Sequence, residues 1–210
     1  AKQVLEQAKK QGVAKQKLNS LEAKLSPANQ KLNAGRVSPP QELLSSLLRH
    51  YQSGRLGDAE KLCIEITRGF PKHPFAWKVL GAVFGAKGRN SEAAVANQTA
   101  VVLSPKDAEA HYNLGVIFKE LGKLQEAEAS YIVAISLKTD FAEAHNNLGN
   151  ILYDEGDLVA AINCYKQALN IKHDYAQAWL NVLFPLQAMK FENLSTDEYI
   201  PLLSEETSHK

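Results

Sequence analysis

Apolar and small residues recur with helical spacing along most of the chain. Leu114, Phe118 and Leu121 stand at i, i+4 and i+7, which places them on one face of a helix. Gly122 follows, and glycine readily takes the left-handed conformation that ends helices. A facing stripe then comprises Ala127, Tyr131, Ala134 and Ile135. The pattern predicts two helices joined by a tight turn.

This helix pair recurs along the chain with a fixed period. Residues 108–141 and 142–175 align without a gap, and Ala176 begins a further copy. The same register extends upstream through residues 74–107 and, with more divergence, through residues 40–73. A fixed period of this length is typical of stacked helix pairs, in which each unit buries its apolar faces against its neighbours. The expected fold class is therefore all-α, with about four and a half helix-turn-helix repeats.

The period divides the chain into six predicted segments. They are a basic helical leader and linker at 1–39, a divergent first repeat at 40–73, full repeats at 74–107, 108–141 and 142–175, and a partial fifth repeat with a C-terminal capping or linker segment at 176–210. The leader is either a mobile tether or a helix that docks on the first repeat, and the sequence leaves both open.

The period breaks near the C-terminal end. Pro185 lies inside the helix that begins the fifth repeat, where a proline should kink it. Ser195 and Glu198 match a capping box, so another short helix is expected there. Apolar residues follow, namely Tyr199, Ile200, Leu202 and Leu203. They either seal the last repeat or belong to an interface with another domain.

The recurring positions resemble the tetratricopeptide repeat. The resemblance rests on the pattern Trp77-x-x-Leu80-Gly81-x-x-Phe84 and on the alanines spaced after it. It implies a right-handed alpha-alpha superhelix, a solenoid whose concave groove binds other proteins without catalysis. The repeats are similar to those of bacterial O-linked N-acetylglucosamine transferase-like proteins, whose arrays hold substrate polypeptide along the concave face.

Three asparagines, Asn113, Asn147 and Asn181, occupy the same position in successive repeats. Asparagine is not favoured inside helices, but its amide both donates and accepts, so it can bind a peptide backbone whatever the side chains. The series resembles the asparagine ladder of those transferases, which implies an extended polypeptide in the groove. Val79 and Ser45 interrupt it in the second and first repeats. The alternative is that these asparagines only bond locally.

Other residues on the same helices are candidates for reading a ligand's side chains. These further peptide-binding candidates are Asn146, Asn150, Tyr112, Lys78 and Lys119. A tyrosine supplies rigid contact area, and a lysine can pair with an acid. The sequence offers no matching arginine for the clamp with which some family members grip a terminal carboxylate. The alternative is a simple solvated face.

Charge and composition narrow the partners. The chain has 24 Lys and Arg against 23 Asp and Glu, a net charge of +1, so no overall field attracts nucleic acid. No stretch is long and apolar enough to span a membrane. Cys63 and Cys164 fall on inward helix faces, which favours unbridged thiols in a reducing compartment and hence a cytoplasmic protein. A protein or peptide partner is expected.

Motifs for chemistry are missing from the sequence. It contains no H-E-x-x-H, C-x-x-C, G-x-S-x-G or phosphate-loop motif. His111 and His145 recur with the repeat, at a helix spacing of roughly 10 Å, which is too far to share a zinc ion. No catalytic residue, metal or cofactor is expected within these residues. Two alternatives remain: a substrate-targeting arm of a glycosyltransferase or sulfotransferase that extends beyond residue 210, or a self-assembling homo-oligomer.

Overall fold

The computed structural model describes residues 38–191, with the side chains of residues 189–191 excepted. The predicted capping box and the apolar residues after it lie outside the described residues, as does nearly all of the basic leader. The chain divides into two compact units between Leu137 and Lys138. Within the described part, all regular secondary structure is helical, and no helix has the length and apolar character needed to cross a membrane.

The first unit contains three pairs of helices. They are α1 (Gln41–Gln52), α2 (Leu56–Gly69), α3 (Pro74–Ala86), α4 (Asn90–Leu103), α5 (Ala108–Glu120) and α6 (Leu124–Leu137). Each pair turns at a glycine of positive φ: Gly54, Gly88 and Gly122, at 70°, 69° and 70°. An L side chain rarely adopts this backbone conformation, so glycine makes the turn at little cost. The helix–turn–helix predicted around Gly122 is confirmed.

One residue of the predicted apolar stripe, Leu121, lies just after the helix rather than within it. Leu114 and Phe118 are buried in α5, but Leu121 comes after the last residue of that helix and is exposed. The prediction placed Leu121 in the helix, whereas the structure places it at the residue directly after the helix end. The helix stops one residue short of it, because the turn towards Gly122 has already begun.

The core of the first unit centres on α3. Seven of its 13 residues are buried: Ala76, Trp77, Val79, Leu80, Gly81, Val83 and Phe84. The same cluster of buried side chains extends from Leu47 of α1 to Ile117 of α5. A helix that is apolar around most of its circumference is one that packs on several sides. Neighbouring pairs therefore bury α3 from both directions along the array.

Glycines also let the two helices of a pair approach closely. A Cβ atom added at Gly115 would lie 2.7 Å from Cε1 of Tyr131, a separation that real Cβ atoms do not reach. Gly149 meets Tyr165 in the same way, at 2.6 Å, within the second unit. Gly81 stands against the side chain of Asn97. In each case, the missing Cβ makes room for a buried side chain of the second helix.

The second unit contains α7 (Ala142–Asp154), α8 (Leu158–Ile171) and α9 (Ala176–Phe191). Tyr165 and Ile162 of α8 pack with Val182 of α9 in one apolar cluster, and a second cluster includes Ala168 and Ala178. Pro185 lies within α9 and is buried, and the helix continues to Phe191. The proline, which lacks a donor N–H, therefore does not end the helix.

Both cysteines carry free thiols. Cys63 is fully buried, and burial raises its pKa to about 12. Cys164 is only partly buried, and burial raises its pKa to about 11. A thiol of such high pKa stays protonated near neutral pH and reacts slowly. Cys63 therefore matches the buried apolar role expected of it, and Cys164 does so in part.

Candidate functional site

A ring nitrogen of histidine or tryptophan holds the start of four of the first helices to the preceding turn. A ring nitrogen approaches the backbone carbonyl six residues earlier in four repeats: Trp77 Nε1 to Pro71 (2.8 Å), His111 Nε2 to Pro105 (3.0 Å), His145 Nε2 to Thr139 (3.1 Å) and Trp179 Nε1 to His173 (2.9 Å). A carbonyl only accepts, so each histidine carries its proton on Nε2. Tryptophan and histidine share this repeat position because both offer a ring N–H.

The histidines thus have a structural role, and this role explains their recurrence without a metal site. Across residues 38–191, no group of three or more His, Cys, Asp and Glu side chains is arranged to hold a metal ion. The sequence showed that His111 and His145 recur, but the carbonyl that each one bonds is seen only in the folded structure.

Lys78, a predicted ligand contact in the first unit, is engaged within the protein. Its Nζ donates to Asp107 Oδ2 (2.9 Å) and to Glu109 Oε2 (2.7 Å), and its side chain is only 17% exposed. Burial alone would lower the pKa of Lys78, but the bonds to Glu109 and Asp107 outweigh it and raise that pKa. This arrangement favours a role for Lys78 in joining α3 to the start of α5.

The other candidates of the first unit lie on α5. Tyr112 and Asn113 are partly exposed, and the Tyr112 ring lies 5.9 Å from the ring of Tyr131, tilted by 46°. Lys119 is also partly exposed and follows Tyr112 by two helical turns, so both lie on the same face. The backbone carbonyl of Asn113 accepts a long bond of 3.4 Å from Asn97 Nδ2. Tyr112 and Lys119 thus place an aromatic ring and a cation on one face of α5, while Asn113 is the neighbour of Tyr112 in the chain.

In the second unit, asparagines from two first helices bond to one another. Asn181 Nδ2, on α9, donates to Asn146 Oδ1 (3.0 Å) and to Asn150 Oδ1 (2.8 Å), both on α7. The hydroxyl of Tyr165, on α8, also donates to Asn150 Oδ1 (2.9 Å). Asn146 is almost fully buried, at 2% exposure. We call Asn146, Asn150, Tyr165 and Asn181 the asparagine cluster.

The asparagine cluster fixes the orientation of its amides. Burial raises the pKa of Tyr165, so its hydroxyl stays protonated and remains a donor. Asn150 Oδ1 accepts two bonds, and Asn181 Oδ1 accepts a further bond from Gln177 Nε2 at 3.2 Å. Asn181, which belongs to the predicted ladder, therefore bonds to other side chains of the protein, although these partners lie on another helix rather than locally.

Asn147 stands beside this cluster on α7. Its Oδ1 lies 3.5 Å from Asn146 Nδ2, and its side chain is partly exposed. Within the second unit, Asn147 is thus the ladder residue that is adjacent to the asparagine cluster without belonging to it. Asn113 belongs to the first unit, and Asn147 and Asn181 belong to the second. The ladder of three stays a prediction.

Sequence reasoning missed the part that Tyr165 plays. The available signal was its register, since Tyr131 and Tyr165 stand one period apart and each follows a glycine of its own first helix at the same interval. That register predicts a tyrosine packed on a glycine. It does not predict that the hydroxyl of Tyr165 reaches across to Asn150, because the partner depends on how the helices are inclined.

The comparisons with known proteins agree with the repeat pattern. The sequence family described as TPR repeat matches residues 81–122, 116–156 and 149–182. These residues are tetratricopeptide repeats. No curated protein matches the chain in sequence.

Solved structures of such repeats resemble the chain. YrrB, a TPR protein with an unusual peptide-binding site, has a TM-score of 0.64 at 16% identity, covering 86% of this chain and 94% of its own. The first TPR of Spaghetti (RPAP3), bound to an HSP90 peptide, has a TM-score of 0.55 at 19% identity, covering 56% and 93%. The O-GlcNAc transferase of Thermobaculum terrenum has a TM-score of 0.59 at 27% identity, covering 62% and 25%. The predicted all-α repeat fold is confirmed.

Proposed function

We propose that this chain, an array of tetratricopeptide repeats, is a non-catalytic interaction scaffold that binds an extended polypeptide along its first helices. The observation that carries the proposal is that the asparagines of the asparagine cluster, with Asn147 beside them, lie on first helices that recur in register. Amides can bond the backbone of any sequence, because each offers both a donor and an acceptor.

Preorganisation is what the asparagine cluster contributes to binding. Ordering a mobile side chain on binding costs about 0.5–1.5 kcal/mol. Asn150 and Asn181 are already ordered by their mutual bond and by Tyr165. A polypeptide that contacts this part of α7 therefore meets amides whose orientation is set, with Asn147 as the adjoining contact.

The first unit would add selectivity. Tyr112 offers apolar area and Lys119 a positive charge on one face of α5, with Asn113 beside them. A ligand segment with an acid or an apolar residue at matching positions gains from these contacts. Two proteins that share the fold support this proposal. YrrB has a peptide-binding site, and the RPAP3 domain was solved with a bound peptide.

The test uses a peptide array probed with the full chain and with single variants. Asn147→Ala and Asn113→Ala should each weaken binding by roughly fivefold to tenfold, the loss of about one good hydrogen bond. Asn163→Ala is the matched control, because Asn163 is exposed on α8, a second helix, and should bind as the parent does. Peptides N-methylated along the backbone should lose binding to the parent chain.

Two outcomes would reject the backbone-reading model. One is equal binding of the parent and both first-helix variants to every ligand peptide. The other is unchanged binding of N-methylated peptides. Circular dichroism on each variant separates a lost contact from a lost fold.

A second candidate is a substrate-targeting arm of a larger glycosyltransferase. The likeness to the Thermobaculum terrenum enzyme favours it, since the match covers only 25% of that chain. An antibody against the repeats, used on extracts of the native source, should then detect a polypeptide several hundred residues longer than this chain. A native polypeptide no longer than this chain would reject this candidate and leave the scaffold proposal standing.

A further inference from the structure

The last described helix has a large exposed apolar face. Four large apolar side chains of its described part are half exposed or more: Trp179 (53%), Leu180 (57%), Leu183 (50%) and Phe184 (56%). They stand at i, i+1, i+4 and i+5, so they form one continuous patch on α9. We call these four residues the α9 patch. A patch of adjacent large apolar side chains on a soluble protein usually marks a surface that something covers.

An earlier repeat provides a comparison for Trp179 of the α9 patch. Trp77 occupies the repeat position of Trp179, and both ring nitrogens donate to the carbonyl six residues earlier. Trp77 is 6% exposed, whereas Trp179 is 53% exposed. The helix of Trp77 is followed by α4, its partner in the pair. Within residues 38–191, α9 has no such following helix.

The position of Leu183 also corresponds to one that a second helix covers in complete repeats. One period earlier this position is Gly149, which is buried under the ring of Tyr165 from the second helix of its own pair. Gly115 and Tyr131 form the same contact in the first unit. Leu183 therefore stands at the position that a second helix covers in complete repeats, and here it is half exposed.

We propose that the C-terminal segment 195–203 of this same chain packs on the α9 patch through Tyr199, Ile200, Leu202 and Leu203. Tyr199 follows Tyr165 by one full period, which puts it in the register of the tyrosines that cover Gly115 and Gly149. The segment supplies an unbroken apolar run, residues 199–203, after four polar residues, in the part of the chain where a second helix would come.

The docking differs in register from that of the complete repeats. Gly149 leaves space for the ring of Tyr165, but the equivalent position one period later is Leu183, which has a large side chain. Tyr199 therefore cannot occupy the equivalent space without overpacking. Pro201 also stands where α8 has Gln167, inside the helix, and a proline there removes a helical bond. Tyr199 is therefore placed beside Leu183 on the α9 patch, against Trp179 or Phe184.

Geometry and tethering favour this occupant over a second copy of the chain. The stretch from Phe191 to Tyr199 has a reach of up to about 27 Å, and Leu183 lies only about 12 Å back along the helix. A segment joined to its own docking surface acts at an effective concentration of about millimolar. An intermolecular contact of equal quality would therefore lose to it in dilute solution.

Fluorescence of Trp179 in the full chain tests the proposal. Trp77 and Trp179 are the two tryptophans, so Trp77→Phe leaves Trp179 as the sole reporter. Acrylamide quenching of Trp179 should rise by about twofold when Tyr199→Ser and Leu203→Ser are added, since burial of the ring is lost. The control is Glu205→Gln, a polar change close to the segment, which should leave quenching unchanged.

The same measurement distinguishes docking of this segment from docking of a second copy of the chain. Equal quenching with and without the Tyr199 and Leu203 changes would overturn the proposal. So would protection that appears only on concentration over a roughly hundredfold range, together with doubled mass in light scattering, since that identifies a second copy. If Trp77→Phe unfolds the chain, the difference spectrum between the parent and Trp179→Phe gives the same readout.

Discussion

Individual glycines carry much of the information that defines this fold. Gly122 is required by its backbone angle, whereas Gly115 is required by the ring of Tyr131 that lies against it. The sequence predicted the role of Gly122, because glycine readily takes the conformation that ends a helix. It placed Leu121 wrongly, since a stripe counted at helical spacing does not show at which residue the helix ends.

Gly115→Ala should destabilise the first unit by about 2 kcal/mol, because the added methyl group would overlap Tyr131 in a packed core. Gly57→Ala is the matched control. Gly57 also lies in a helix, but an added Cβ would meet nothing within 4 Å, so that change should be neutral or slightly stabilising. Urea unfolding of both variants measures the difference, and equal midpoints would contradict the close-approach argument.

Polar bonds join helices as specifically as apolar contacts do. Asn181 of α9 bonds two asparagines of α7, one of them buried, and Tyr165 of α8 completes the asparagine cluster. The sequence showed Asn146, Asn150 and Asn181 as candidates for a ligand. It gave no sign that they face one another, because that depends on the inclination between helices rather than on register.

Asn181→Ala should loosen α9 and destabilise the second unit by about 2 kcal/mol, since it leaves the buried Asn146 oxygen without its partner. Hydrogen exchange should show faster exchange of α9 amides, with α5 unaffected. Gln177→Ala, which removes a single exposed bond to the same asparagine, should change stability by less than about 0.5 kcal/mol. Similar effects of both changes would contradict the structural role of the asparagine cluster.

At the scale of the whole molecule, charges nearly cancel, so its response to acid depends on particular ion pairs. Glu60 of α2 bonds Lys87 (2.5 Å) and Arg89 (2.6 Å) in the turn between α3 and α4. Burial alone would raise the pKa of Glu60, but the bonds to Lys87 and Arg89 outweigh it and lower that pKa. The net charge in the sequence gave no indication of this pairing.

Glu60→Gln should cost about 1 kcal/mol of unfolding free energy at neutral pH. A carboxyl whose pKa is lowered on folding stabilises the fold above its unfolded pKa, and that contribution disappears as the pH falls through the folded pKa. The stability gap between parent and variant should therefore close as the pH falls below about 4. Glu65→Gln, an exposed change on the same helix, is the control, and a gap that persisted in acid would contradict the assignment.

The contact between a glycine and a tyrosine has a consequence for how such a chain changes length. Both partners of each contact, Gly115 with Tyr131 and Gly149 with Tyr165, come from the same copy of the repeat. Duplicating or deleting one whole copy therefore carries matched partners along, whereas a crossover inside a copy separates them. The protein can gain or lose repeats as units, and recombination that respects the period conserves its tightest packing.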